Sequence, residues 1–207
     1  MMLYPVQKYV VPAELDGVPN GDIPPALLSN IKPYGQLYWK AACAWQAMLA
    51  AAKVDGLDFS HVGALRTLKE QISLFESRYT TKATKRVPQV TRTYKGKTYF
   101  LKDGMAPAGS PGTSKHGHGC AIDIAAVVKG KVVNVGSSQR HVDWLVKNAG
   151  KHGWSWEVAD TSNPNFEIWH LICFNADALP AEVLALAGDR AAKIAKPKRR
   201  EKKGRKA

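Results

Sequence analysis

The chain reads as an α+β fold: N-terminal helices packed on a small, mostly antiparallel sheet. Three observations predict this. Apolar residues recur at helical spacing in two segments before Tyr79. Short β-rich stretches separated by glycine-bearing turns fill the second half. Helices come first and strand pairs later, without the alternation of a parallel α/β fold. The 207 residues, 45% hydrophobic and 23% charged, suit about one domain of roughly 100–200 residues. That composition excludes a wholly disordered chain, a collagen and a small disulfide scaffold. No run reaches the roughly 20 apolar residues of a membrane span; the best, Ala41 to Ala52, carries Gln46.

Residues 1–33 hold Pro5, Pro12, Pro19, Pro24, Pro25 and Pro33 and read as an extended lead-in. Domain 34–195 follows. A buried helix is expected from about Tyr34 to Val54, because Leu37, Ala41, Ala44, Met48 and Ala51 share one face. A second, from about Gly63 to Tyr79, has Leu65, Leu68, Ile72 and Phe75 as its stripe, with Arg66 and Glu70 four apart on another face. Val90 to Leu101 reads as a hairpin around Lys95-Gly96, and Asp103 to Ser114 as a loop. Gly119 to Val128 alternates as a strand, turns at Lys129-Gly130-Lys131 and returns through Val132 to Val135. Ser137 is the expected N-cap of a helix to about Asn148. Trp154 to Val158 and Phe166 to Phe174 read as strands, and Pro180 opens a last helix to about Ile194.

The net charge of +13 is concentrated at the C-terminus. Residues 196–207 hold eight Lys and Arg against Glu201, a density that opposes folding and predicts a disordered tail. Cys43, Cys120 and Cys173 form no CxxC pair and read as free thiols of a reducing compartment.

The chemistry lies in two stretches. In Ser114-Lys115-His116-Gly117-His118-Gly119-Cys120-Ala121-Ile122-Asp123, a histidine in a glycine-rich loop precedes an aspartate on an apolar strand. A carboxylate in such surroundings is costly unless paired or metal-bound. The second stretch, Glu167-Ile168-Trp169-His170, is again apolar around its polar groups. Two histidines and one aspartate with an open position make the pattern of a catalytic zinc, and Glu167 remains as a general base. Parity opposes this in a regular strand, where residues 167 and 170 face opposite sides. Either Glu167 precedes the strand or a bulge intervenes.

Ser-x-His-x-x-Gly-x-Ala-x-Asp at Ser114, His116, Gly119, Ala121 and Asp123, followed by Glu-x-Trp-His at Glu167, Trp169 and His170, resembles the VanY-type zinc peptidases. That family includes D-alanyl-D-alanine carboxypeptidases and the L-alanyl-D-glutamate endopeptidases of phage endolysins. Its upstream Tyr-Arg-Ser-x-x-x-Gln is similar to the segment Leu65 to Gln71, where Arg66 and Gln71 match and Leu65 and Thr67 depart. Pro111-Gly112-Thr113, and Trp144-Leu145 with Asn148-Ala149, resemble actinobacterial and phage members. The resemblance runs from about Asn20 to Phe174. It implies Zn2+ on His116, Asp123 and His170, Glu167 as base, and Arg66 on the substrate or its oxyanion. Ser114, Gln71, His118 and Trp169 are expected to meet the substrate.

The function so implied is cleavage of a peptide bond in a peptidoglycan stem peptide by a monomeric phage endolysin. Without an export signal, the protein is expected to be made in the host cytoplasm and to reach the wall after membrane permeabilisation. The rivals are a host D,D-carboxypeptidase of wall recycling and a zinc-binding recognition domain without turnover. A thiol nucleophile is disfavoured because Cys120 and Cys173 fall on apolar strand positions. His118 could compete for the metal, whereas His61, His141 and His152 read as surface or capping residues. The tail can attract an anionic wall polymer; it has no aromatics to stack on bases, and no specific nucleic-acid partner is expected.

Overall fold

The computed structural model of the chain describes residues 3–188. In order these form β1 (Leu28–Asn30), β2 (Gln36–Tyr38), α1 (Trp39–Val54), β3 (Asp58–Gly63), α2 (Leu68–Arg78), β4 (Tyr79–Thr80), β5 (Thr91–Tyr94), β6 (Lys97–Leu101), β7 (Ala121–Val128), β8 (Lys131–Asn134), α3 (Gln139–Asn148), β9 (Trp154–Ser155), β10 (His170–Cys173) and α4 (Ala181–Leu184). Short 3-10 turns link several of them. This is the α+β class that the order of helical and alternating segments predicts.

The long strand β7 organises the main sheet. β3 pairs with one edge along nearly its whole length, while β10 and then β8 share the other, and β9 lies beyond β10; every pairing is antiparallel. Alternation divides β7 cleanly. Ile122, Ile124 and Ala126 enter the core, which also holds Trp45 and Met48 of α1 and Trp154 of β9. Ala121, Asp123 and Ala125 face the other way. Trp45 is 1% exposed and Met48 0%; emptying the Trp45 site costs about 3–5 kcal/mol on the usual scale for buried aromatics.

A second sheet, β4-β6-β5, stands beside the first with its own small cluster of Phe75, Tyr79, Val90 and Leu101. Phe75 stacks on Tyr79 with centroids 4.6 Å apart. The expected hairpin around Lys95-Gly96 is its outer part, and both turn residues have positive φ, 48° and 71°.

Several elements differ from expectation. The first helix starts at Trp39; Gln36 to Tyr38 form a strand that turns back on β1 across Gly35 (φ 85°). The strand β3 was not expected, and it takes His61 into the core at 1% exposure. The second helix begins at Leu68, where Thr67 and Glu70 close a capping box. Residues 64–66 are therefore not helical, and Glu70 serves Thr67 instead of pairing with Arg66. The N-cap of α3 is Ser138, one residue later than expected, with its hydroxyl on the His141 ring. His141 is buried, and His152 stacks on Trp144. The lead-in wraps the core through Tyr4, Leu15 and Ile23, held by isolated bridges such as Val6–Trp156. The three cysteines are buried free thiols, as their apolar positions suggest. The last helix is α4 followed by a 3-10 turn over Ala185–Ala187. Residues 189–194, where the helix was expected to continue, and the 196–207 tail lie outside the described residues.

Candidate active site

Strand register builds the site. His170, the first residue of β10, lies opposite Asp123 of β7. Opposed residues in an antiparallel pair share a face, so both side chains leave the sheet on the side away from α1. The partner strand β3 bulges between His61 and Gly63, and Gly63 sits against the Asp123 carboxylate, where a Cβ would collide with it.

The third donor comes from the loop before β7. Ser114 Oγ accepts a hydrogen bond from the His116 N–H at 3.3 Å and opens the 3-10 turn Lys115–His118. Gly119 ends that turn at φ 64°, its carbonyl accepting from Tyr38 N–H at 2.9 Å. A Cβ at Gly119 would meet Tyr38 N at 2.6 Å, which explains why the loop carries glycine there. His116 Nδ1 donates to the Ala64 carbonyl at 2.6 Å. That bond assigns its proton and turns the Nε2 lone pair inward.

The donors converge. His116 Nε2 lies 3.2 Å from His170 Nδ1, and Asp123 Oδ1 lies 3.3 Å and 3.2 Å from these two nitrogens. His170 Nε2 meets Glu157 Oε2 at 2.8 Å, so in neutral His170 the Nδ1 lone pair also faces inward. With His170 protonated, its Nδ1–H bonds to Asp123; with that proton gone, two imidazole lone pairs and a carboxylate oxygen point at one another, an arrangement that a shared cation relieves. The three residues therefore fit a divalent metal, and the N,N,O set is one that zinc accepts. Burial alone raises the Asp123 pKa; the bonds with His116 and His170 outweigh it and hold the carboxyl well below its usual range. For His170, burial lowers the pKa, but Asp123 and Glu157 override it and push it up to about 9.

Glu167 resolves the parity conflict by preceding the strand. Its carbonyl accepts from His170 N–H at 3.0 Å, a turn that brings its side chain to the same cleft as the ligand face. Burial raises its pKa, against the opposing pull of His170, Arg78 and Arg66. Arg66 lies in the extended segment between β3 and α2, its N–H donating to the His116 carbonyl at 3.1 Å. Its guanidinium is 3.9 Å from Asp123 Oδ2.

These groups line one cleft of about 390 Å³. Ser114 and Trp169 line it as expected. Gln71 and His118 do not. Gln71 is 1% exposed, with its amide bound to the Ser110 carbonyl and the Gly112 N–H. It shapes the loop that precedes Ser114. His118 turns away toward the Tyr9 hydroxyl, 2.9 Å from its Nδ1; it belongs neither to the donor set nor to the cleft wall. Sequence reasoning missed Arg78, Arg92, Lys115 and Glu157, all on the cleft wall. Lys115 is carried there by the same turn that places His116, whereas nothing in the local sequence of Arg78, Arg92 or Glu157 marks them, because each reaches the site through tertiary packing.

An antiparallel sheet and the loop that enters it, together presenting three possible metal donors beside a separate carboxylate and a guanidinium in one cleft, have the layout of a metal-dependent hydrolase. A family model for VanY, D-alanyl-D-alanine carboxypeptidase, matches residues 35–175, and the chain belongs to that family. Among solved structures, the LdcB LD-carboxypeptidase, described with the molecular basis of peptidoglycan recognition, is 20% identical over 84% of this chain and 76% of its own, with a TM-score of 0.52. VanYB in complex with D-alanine-D-alanine is 16% identical over 81% and 87%, TM-score 0.49. A vancomycin-resistance D,D-pentapeptidase VanY variant in complex with Zn(II) is 18% identical over 83% and 85%, TM-score 0.46. No curated protein matches the chain.

Proposed function

We propose that the protein is a zinc-dependent peptidase that cleaves a peptide bond in the stem peptide of bacterial peptidoglycan. The observation that carries this reading is the convergence of His116, Asp123 and His170 in a cleft that also holds Glu167 and Arg66. Family membership supports the peptide substrate, as does the fold shared with a carboxypeptidase described in terms of peptidoglycan recognition.

Zinc held by these three residues would supply Lewis acidity and lower the pKa of its water toward about 7. Glu167 takes the proton from the attacking water. Burial raises its pKa, which makes it a stronger proton acceptor than an exposed carboxylate. It then hands that proton to the departing amine. Arg66 donates to the oxyanion that develops on the carbonyl oxygen, where a fixed positive donor stabilises the transition state more than the substrate. Retention of both groups beside the donor set favours turnover over a binding-only role.

Within this class we favour an endopeptidase acting as a phage endolysin in host lysis. A second groove of about 340 Å³, lined by Val62, Ile124, Val132 and Val133, shares Asp123 and Trp169 with the main cleft. A groove that meets the cleft at Asp123 and Trp169 gives a longer peptide somewhere to run, which suits a bond inside a peptide better than a terminal one. The resemblance of Pro111 to Thr113 and of Trp144 to Ala149 to phage sequences supports the biological setting, and the basic segment 196–207 suits an anionic wall polymer. Mass spectrometry of muropeptides after digestion tests the reading. A new amino terminus inside the stem supports an endopeptidase, release of D-Ala alone indicates the carboxypeptidase, and intact muropeptides with zinc-loaded protein refute both.

A further inference from the structure

Beyond the donor set, the cleft wall carries two arginines that the proposed hydrolysis leaves unused. Arg78 ends α2 and Arg92 lies on β5, so they come from different elements of the second sheet region. Both are anchored to the same stretch of loop. Arg78 Nη1 donates to the carbonyls of Ala106 and Pro107 at 3.3 Å and 2.9 Å, and Arg92 Nε to that of Ala108 at 3.1 Å. Arg92 is further held by Asn165 Oδ1, 3.0 Å from its Nη2. Three successive carbonyls thus bring two half-buried guanidiniums to one patch of wall. Neither has a carboxylate partner among the described residues, whereas Lys115 is taken by Glu157 at 2.6 Å and Arg66 faces Asp123. Arg78 lines the same cleft as Arg66 and Glu167, which places it near the reacting centre.

The charge balance of the cleft points the same way. Its wall holds Arg66, Arg78, Arg92 and Lys115 against Asp123, Glu157 and Glu167. With a divalent ion on the donor set, three positive charges remain in excess. A substrate with a single carboxylate leaves most of that excess unanswered.

We propose that Arg78 and Arg92 form a second anion subsite that binds a free carboxylate branching from the substrate peptide backbone. This deepens the peptidase reading and rests on it for the identity of the peptide. Guanidiniums pre-set by carbonyl bonds lose little freedom on binding a carboxylate, and charge-assisted bonds are roughly twice as strong as neutral ones. In a stem peptide that chemistry has two sources: the α-carboxylate of a γ-linked D-glutamyl residue and the side-chain carboxylate of a diaminopimelyl residue. Amidation removes either without changing shape, so the subsite would make the enzyme selective for unamidated stems.

The test uses the full zinc-loaded chain and three matched stem peptides: both carboxylates free, only the glutamyl one amidated, and only the diaminopimelyl one amidated. Cleavage is followed with the wild type, and binding by calorimetry with Glu167→Gln. Amidation at one of the two positions should raise KM and Kd about tenfold or more, with kcat little changed. The sensitive position names the source. Arg92→Gln should bind the free and amidated peptides alike, while Arg92→Lys, which keeps the charge, should restore part of the preference. Arg78→Gln provides a second disruption from a different element. If the three peptides bind the wild-type site equally, or none binds, the subsite is overturned. Binding that discriminates amides without cleavage leaves the subsite standing and refutes the peptidase instead. Equal losses on all peptides in both Gln variants would reduce the arginines to braces of the 106–108 loop and also overturn the proposal.

Discussion

Glu157 Oε2 lies 2.8 Å from His170 Nε2, and the other carboxylate oxygen receives Lys115 Nζ at 2.6 Å. This carboxylate sets the ring of the histidine that faces the metal position, since the proton it attracts to Nε2 leaves Nδ1 as the donor. Burial raises the Glu157 pKa, but His170 and Lys115 outweigh it and bring the group down to about 2, so the carboxylate stays charged at neutral pH. Partners of this kind typically contribute about 10–100-fold to metal affinity. Glu157→Ala should weaken zinc binding by about that factor, measured by competition with a chelator of known affinity. Unchanged affinity would make the contact incidental.

Zinc uptake should depend on pH in a defined direction. In the metal-free protein His170 is raised to about 9 and holds a proton at pH 7. A metal must displace it, so loading should release about one proton per zinc and affinity should climb with pH until that range is passed. Calorimetric titration in buffers of different ionisation enthalpy counts the proton. His116→Ala or His170→Ala should abolish stoichiometric loading.

Glu167→Ala should keep zinc and fold yet lose about 10²–10⁴-fold in turnover, the usual contribution of a general acid–base group. Metal analysis beside kcat on purified wall separates this from loss of the site. Wild-type turnover in the variant removes Glu167 from the mechanism.

Arg66→Lys retains charge and loses the planar fork of donors. With zinc content unchanged, kcat should fall about tenfold or more and KM should move less, because an oxyanion contact acts in the transition state. A rise in KM with kcat intact would transfer Arg66 to substrate binding.

Gly119→Ala tests the loop geometry. The residue sits at φ 64° against the Tyr38 backbone. Alanine there should cost more than about 1 kcal/mol, read as a lower melting temperature, since both the conformation and the contact disfavour a Cβ.

Much of the site is legible in the residues. The alternation around Asp123 fixes which face it takes, and the run from His116 to Asp123 carries loop, glycine and strand in one stretch. Glu167 could be read as a base but not placed, because periodicity alone does not reveal that the strand begins only at His170. Arg66 is a different case. Its spacing from Glu70 suggests a helical pair, yet Thr67 recruits Glu70 into a capping box and starts the helix after Arg66. Here a local side-chain bond overrides a periodic pattern of almost equal appeal. β3 escaped notice for a related reason: Asp58-Phe59-Ser60-His61-Val62-Gly63 is too mixed to advertise a strand, and only pairing with β7 supplies its hydrogen bonds.

The sequence by itself determined the α+β class, the hairpin, the central strand and the identities of the three residues that converge as possible metal donors, because local periodicity, turn chemistry and donor type are properties of short segments. Tertiary structure alone decided that Arg66 approaches Asp123, that Glu157 orients His170, that Gln71 and His118 leave the cleft, and that Arg78 and Arg92 meet on its wall. Each of these depends on contacts between segments distant in the chain. The energy of such a contact comes from the burial and hydrogen bonds that the whole fold provides, and no short stretch of residues contains it.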